Sequence, residues 1–532
     1  MATDFIATFD SEKTFSALNL TLLKLIYMKP LRSLIIIFSL VLFLVIFLKS
    51  VQAQTGNQSD TTGPDPQEFM NQSDTTGNDP QEIRVPIGNN DNNNSNNNSS
   101  NNSSANSGGI KIDRKAFDSN FEAAGINEAM ALFEEAQAVE FGQHLGINFF
   151  GEVATAQEIS QTLDGLYRQR GKKSALIYVV SLKKELQLIL IFPNNPPIRK
   201  VIPEANRELL QKTAQQFRSE VTNRSNVNGY KSSAQQLYQW IIAPLEPVLQ
   251  ANQIDALVLS MDSGLRSIPI AALYDGQQFL VEKYSVSIIP SFSLTDTRYF
   301  PISNQSMLAI GISKSTQGKA PLPAVAIEVS LLANSLWSGQ KLLNEQSTID
   351  NFQTLSSQDR FGIIHIATHA EFKPGAIQNS YIQFWNAQLR FDELRKLSQK
   401  LKWQQDPKVE LMVLSACRTA LGDKEAELGF AGLTIQTGVK TALGSLWYVS
   451  DEGSLALMTK FYEYLKTAPI KSEALQQAQL AMIQGQVRLE DQQLQLDEKK
   501  RLTLAPELGT HQNINLSHPY YWSAFTMIGN WN

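Results

Sequence analysis

One cysteine in 532 residues, Cys417, removes whole classes of chemistry at once. A single thiol forms no intrachain disulfide and builds no cysteine-rich metal site. Charge is also scarce. Asp, Glu, Lys and Arg make up 18% of the chain, the net charge is −5, and the basic clustering that a nucleic-acid binder needs is missing. Apolar residues, at 42%, are slightly few for a globular protein, and one polar tract accounts for the deficit. No apolar run reaches the ~20 residues that span a bilayer as a helix; Leu34 to Leu48 stops at 15. The length exceeds what one compact core serves, so several segments are expected.

The Leu34–Leu48 run is flanked by Arg32 and Lys49 and followed by the small-residue pattern Val51-Gln52-Ala53. Read from Met28, this is the three-part layout of a secretory signal peptide, which makes Met28 an alternative start. The competing reading is a signal anchor, with Arg32 and Lys49 reaching the interfaces. A buried core helix fits less well, because the run is apolar on every face. Both favoured readings predict an exported domain, periplasmic or extracellular, or one tethered by residues 34–48, which would be its only membrane contact. Residues 1–53 form this N-terminal region. Residues 54–110 read as a disordered linker: Asn57–Glu68 recurs almost unchanged as Asn71–Glu82, and an Asn/Ser tract runs from Asn89 to Ser107. Such composition cannot bury enough apolar surface to offset ordering entropy, and as a random coil it would span about 40 Å.

From about residue 111 the pattern turns globular. Helical apolar spacing covers Phe117–Leu145 and Ala154–Arg170, a helical lead-in (111–170). Strand-like runs follow at Ala175–Ser181 and Leu186–Phe192, then helical patterns at Arg199–Val221 and Ser232–Ile242. Strands then alternate with helices: Ala256–Ser260, Met307–Ile312, Phe361–Thr368, Val409–Ser415 and Thr441–Trp447, with helices at Ala326–Trp337, Gly453–Leu465 and Ser472–Met482. Short apolar strands alternating with helices predict an α/β fold with a mostly parallel sheet flanked by helices.

Two of those strands carry the chemistry. His369 follows Phe361–Thr368, and Cys417 follows Val409–Ser415. Ligands of open parallel sheets bind beyond the carboxyl ends of the strands. If the two strands are parallel neighbours, His369 and Cys417 emerge on one edge. A thiol is mostly protonated at neutral pH, and an adjacent imidazole can take its proton and later protonate a leaving amine. The backbone N–H groups of Ala370 and Cys417 are candidates to hold the developing oxyanion. His365, inside the strand, reads as a core histidine, since no third ligand with useful spacing makes a zinc site. His144 reads as structural, and His511 and His518 lie near the C-terminus, where Leu516–Phe525 reads as a packing segment. No metal or cofactor is expected.

The motifs His365-Ile-Ala-Thr-His369 and Leu414-Ser-Ala-Cys-Arg-Thr-Ala420 resemble the CHAT domain family of caspase-like, separase-related cysteine peptidases, common in cyanobacteria. Supporting stretches are Gly264–Ala272, Phe279–Tyr284, Gly444–Trp447 with Asp451, and His518–Trp522, so the likeness runs from about Phe117 to the C-terminus. Ala416-Cys417-Arg418 also echoes the caspase nucleophile signature, whose His lies a similar distance upstream. The resemblance implies a caspase-like fold in two halves, a scaffold half at 171–305 and an active half at 306–532. It also implies a His369/Cys417 dyad acting on protein or peptide substrates. Two departures stand out. Ala370 occupies the place where the family commonly has Gly, which matters if that site needs a positive φ. No tetratricopeptide array accompanies the domain.

A cysteine endopeptidase is the expectation that follows. The alternatives are an inactive relative that binds peptides or proteins in the same groove, and another thiol enzyme such as an acyltransferase. Asp423 and Asp451 are candidate specificity residues for a Lys or Arg before the scissile bond, while Glu425 and Glu427 read as a solvated acidic loop. The polar run Gln486–Arg501 reads as an exposed segment open to self-cleavage. The sequence leaves the oligomeric state open.

Overall fold

The computed structural model describes residues 112–532, apart from 150–151, 406–408, 420–422, 492, 498–499 and 505–512, and describes residues 416–419 by their backbone. All of them belong to one compact unit, Gln81–Asn532. The apolar segment 34–48, the tandem repeat, the Asn/Ser tract and His511 lie outside the described residues.

The helices are α1 (Arg114–Ala123), α2 (Ile126–Leu145), α3 (Ala156–Arg170), α4 (Arg207–Val221), α5 (Lys231–Ile241), α6 (Glu246–Ala251), α7 (Ala324–Leu331), α8 (Ile349–Gln358), α9 (Phe391–Lys400), α10 (Lys424–Ala431), α11 (Leu433–Thr437), α12 (Asp451–Leu465), α13 (Lys471–Ile483) and α14 (Pro519–Trp522). Strands β1 (Ser174–Ser181), β2 (Leu186–Ile191), β3 (Ile198–Ile202), β4 (Ala256–Met261) and β5 (Ser285–Ile289) come first. Then follow β6 (Met307–Gly311), β7 (Gly339–Leu343), β8 (Ile363–Phe372), β9 (Tyr381–Gln383), β10 (Gln388–Arg390), β11 (Leu411–Thr419) and β12 (Thr441–Ser445). A small antiparallel sheet, β13 (Arg488–Glu490), β14 (Gln493–Gln495), β15 (Arg501–Thr503) and β16 (Ile514–Asn515), precedes the last strand, β17 (Phe525–Gly529).

The large sheet runs β7-β6-β8-β11-β12-β17-β5-β4-β1-β2-β3, with β9 and β10 attached at the far end of β8. Strands β7, β6, β8, β11 and β12 are parallel neighbours, as are β17, β5, β4 and β1. The antiparallel β12–β17 pair reverses strand direction between the two groups. Every residue of β1, β2, β4, β6 and β12 is buried. That is the signature of a sheet covered on both faces, and the near-continuous apolar runs in the sequence follow from it. Along β1 the faces alternate: Ala175, Ile177 and Val179 join the main core, while Leu176, Tyr178 and Val180 pack under α1, α2 and α3. The expected fold class, a mostly parallel α/β sheet flanked by helices, is borne out.

Three local expectations need correction. The Phe117–Leu145 pattern forms two helices, because Gly125 adopts an extended conformation as the N-cap of the second. Within Arg199–Val221, residues up to Ile202 instead form the edge strand β3 against β2. Pro203 lacks the N–H a ladder needs, and the Asn206 side chain accepts from Leu209 N–H (2.9 Å) to start α4 afresh. The run from Gln486 to Arg501 is largely strand, not an open loop: Leu489, Leu494 and Leu496 are fully buried beneath the small sheet.

Candidate active site

The two chemistry-bearing strands are parallel neighbours. β11 pairs with β8 from Leu411↔Ile363 to Leu414↔Ile366, and then from Ala416↔His369 to Thr419↔Phe372. Two steps along β11 therefore match three along β8, a bulge at Ala367–Thr368. Bulges of this kind re-aim side chains and are frequent beside active sites. The strands also run further than the apolar pattern suggested: His369 and Cys417 lie within β8 and β11, not beyond their ends. The flanking strands end lower. β6 stops opposite Ala367, and the pairing of β12 with β11 stops at Leu414. His369 and Cys417 thus stand on a ribbon that rises above the carboxyl edge of the sheet. β9 takes over the β6 side of this ribbon through Ala370↔Ile382 and Glu371↔Tyr381.

Ala370 is a register partner of Cys417, so the two predicted oxyanion donors are neighbours in the ladder. Ala370 is not among the non-glycine residues with positive φ, so its side chain brings no backbone strain there.

His369 is half-buried. Its Nε2 lies 2.9 Å from Ala320 O, in the loop between β6 and α7. A carbonyl only accepts, so Nε2 carries the proton, and in the neutral imidazole Nδ1 is left as an acceptor. Lys319, one residue before, pairs with Glu371 on β8 at 2.6 Å and fastens the same loop. The Tyr448 ring stacks on the imidazole, with centroids 6.2 Å apart and planes 15° from parallel.

Tyr448 links His369 to Asp451. Its hydroxyl donates to Asp451 Oδ1 at 3.3 Å, and Ala324 N–H donates to Asp451 Oδ2 at 3.3 Å. Burial, helped by the charges of Glu452 and Glu328, pushes the Asp451 carboxyl up to about 6, against the pull of the Ala324 N–H. Among the described residues no Lys or Arg is seen to pair with it. Asp423, the other predicted specificity residue, is differently employed: its Oδ1 accepts from Glu425 N–H (3.0 Å) and Ala426 N–H (2.9 Å) and caps α10.

The expectation for Glu427 is overturned. It is 2% exposed, accepts from Gly264 N–H at 3.1 Å and from the Ser267 hydroxyl, and lies 3.6 Å from the Arg218 guanidinium. It follows Lys424 and Glu425, both exposed, but one helical turn points it inward, where it joins α10 to the segment after β4. Truncating Glu427→Ala leaves the buried Arg218 uncompensated and should cost about 3–5 kcal/mol, read as a lowered urea midpoint.

Beneath the site, His365 is fully buried and tied on both ring nitrogens, to Glu328 Oε1 (2.9 Å) and to the Tyr462 hydroxyl (3.2 Å). Ser415 donates to the same Glu328 oxygen at 2.6 Å. His365 is a core histidine, as expected. His518 caps α14 through Nδ1 and packs edge-on against Tyr230. Among the described residues no group of three or more His, Cys, Asp or Glu is placed to hold a metal ion. Sequence reasoning missed Ala320, Tyr448 and Glu328. For Glu328 a signal existed, since it is the one charged residue in the apolar helix Ala324–Leu331.

The protein-family model of the CHAT domain matches residues 231–530. The chain belongs to the CHAT domain family. The match begins at Lys231, later than the likeness read from Phe117, yet β1–β3 continue the CHAT sheet upstream of it. No curated protein matches the chain. Two solved structures of the Saccharomyces cerevisiae separase–securin complex are similar, each at 10% identity, with TM-scores of 0.43 and 0.45. The alignments cover 76% and 79% of this chain and 34% and 36% of the matched chains, so the chain spans about a third of their length.

Proposed function

We propose that the chain is a cysteine endopeptidase in which Cys417 is the nucleophile and His369 the general base. The observation that carries this reading is the register Ala416↔His369 and Cys417↔Ala370 on a ribbon standing clear of the flanking strands. Ala320 O holds Nε2–H, which leaves Nδ1 to receive the thiol proton and later to deliver it to the leaving amine. The thiolate attacks the scissile carbonyl, a C–S bond forms, and the backbone N–H groups of Cys417 and Ala370 receive the oxyanion. Collapse expels the amine, and water then hydrolyses the acyl-enzyme. In this reading residues 171–305 act as scaffold, and export or tethering through residues 34–48 delivers the domain to its substrates.

Asp451 supports a preference for Lys or Arg before the scissile bond. It is a largely desolvated carboxylate with no Lys or Arg partner among the described residues, joined to the imidazole through Tyr448. Such a carboxylate gains most from a cationic substrate side chain.

The test is cleavage of a mixed peptide library by the wild type and by Cys417→Ala. Wild-type cleavage, at least about 1,000-fold above the variant, is expected. Equal activity in both would place the nucleophile elsewhere. Peptide binding without cleavage in both would favour an inactive peptide-binding relative.

A further inference from the structure

Contacts reach the site from three positions, 320, 324 and 328, four residues apart. Ala320 O holds His369, Ala324 N–H holds Asp451, and Glu328 holds His365 and Ser415. All belong to α7 and the loop leading into it. Of the three, only Glu328 acts through its side chain, and it is 1% exposed.

Its two partners sit on the two chemistry-bearing strands. His365 lies four residues before His369 on β8, and Ser415 lies two before Cys417 on β11. His365 lies just before the bulge and Ser415 lies within it, where the β8–β11 register shifts between Leu414 and Ala416. A bulge locally disrupts its ladder, so the strands' relative height there is set by something other than ladder bonds. One carboxylate oxygen joins both strands there, at 2.9 Å and 2.6 Å. The rest of α7 is aliphatic apart from Ser330, and an aliphatic side chain at 328 would pack without the cost of desolvating a carboxylate. The titratable groups around Glu328 are His365 on β8, Tyr462 and Asp451 on α12; burial and the Glu328 charge push the Tyr462 hydroxyl well up.

We infer that Glu328 is a positioning residue of the proposed dyad. It locks α7 to β8 and β11, so that Ala320 O orients the His369 imidazole at a fixed height against Cys417. This rests on the peptidase reading.

Because Cys417 is the only thiol in the chain, its alkylation by iodoacetamide reports on the site without substrate binding. The rate is measured against pH in the full chain, for wild type, Glu328→Ala and Glu328→Gln, beside kcat and KM on a cleaved peptide. In the wild type the thiolate should form well below the ~8.5 of a free thiol. In Glu328→Ala its titration should move back toward ~8.5, with kcat falling about 100-fold and KM little changed, because the base has lost its orientation. Gln keeps an acceptor oxygen and should restore most of what Ala loses. Should the Ala variant fail to fold, Ser415→Ala, which removes one of the two tethers, is expected to show an intermediate shift. An unchanged profile in folded variants, with activity lost only in step with the folded fraction, would make Glu328 purely structural and overturn the inference. A wild-type profile already like a free thiol would instead sink the dyad reading, and this inference with it.

Discussion

Replacing His369 with alanine is expected to lower kcat by two to four orders of magnitude while leaving KM within about threefold. The side chain is half-buried on the ribbon, and its contacts are a backbone carbonyl and a tyrosine ring, neither of which binds substrate by itself. Its loss therefore removes proton transfer more than substrate affinity. The rise of rate with pH should move to higher pH, since without a base the thiol must ionise unaided, near the ~8.5 of a free thiol. Stability should change little, because the lost hydrogen bond lies at an exposed carbonyl that water can satisfy. A variant retaining more than a tenth of wild-type kcat would mean that another group accepts the proton. Stopped-assay kinetics on the best library peptide, with a urea midpoint for each variant, measure both quantities.

How much of this was legible in the sequence depends on what each residue is held by. The strands were readable because a sheet covered on both faces demands continuous apolar runs, and Ile363–Ile366 and Leu411–Leu414 supply them. His369 and Cys417 were readable because each follows such a run. The bulge was not: it depends on how two distant strands align, and nothing local in Ala367–Thr368 marks it. Burial by tertiary contact was equally hidden. Glu427 sits in a polar stretch, Lys424-Glu425-Ala426-Glu427, and only the approach of Arg218 and Ser267 from more than 150 residues away turns it into a buried ion pair. Ala320 contributes a carbonyl, which every residue has, so its role lies wholly in the path of the loop. Tyr448 is 40% exposed and its place over the imidazole comes from the turn between β12 and α12.

The site also shows why the two candidate specificity carboxylates separated. Asp423 and Asp451 both follow a strand end and both lie at the start of a helix. At α10 the cap is Asp423 itself, so one carboxylate oxygen is spent on backbone N–H groups. At α12 the cap is Ser450, whose hydroxyl accepts from Gly453 N–H. Asp451 is thereby released from capping, and its partners come from other elements: Tyr448 from the preceding turn and Ala324 from α7.

Asp451→Asn should therefore do two opposite things. Selectivity for Lys or Arg before the scissile bond should fall by roughly two to four orders of magnitude, because a neutral amide offers no charge to a desolvated ammonium or guanidinium. At neutral pH the variant should nevertheless be more stable than the wild type. Folding raises this carboxyl from 3.8 to about 6, so the folded state binds the proton more tightly than the unfolded state does. Stability from this group is present below about 4 and is lost as pH rises through about 6; at pH 7.5 the ionised, desolvated carboxylate opposes folding by up to about 3 kcal/mol. Asn removes that opposition, so the gain in urea midpoint should be large at pH 7.5, about a third as large at pH 4.5 and nearly absent near pH 3. The same titration predicts that cleavage after Lys or Arg in the wild type strengthens as pH rises through about 6. If Asp451 receives a cationic substrate side chain, this cost is offset when substrate binds. If Asn left selectivity intact while raising stability, Asp451 would be a buried charge without a role in recognition; if it lowered stability at pH 7.5, the carboxylate would already have a partner in the folded chain.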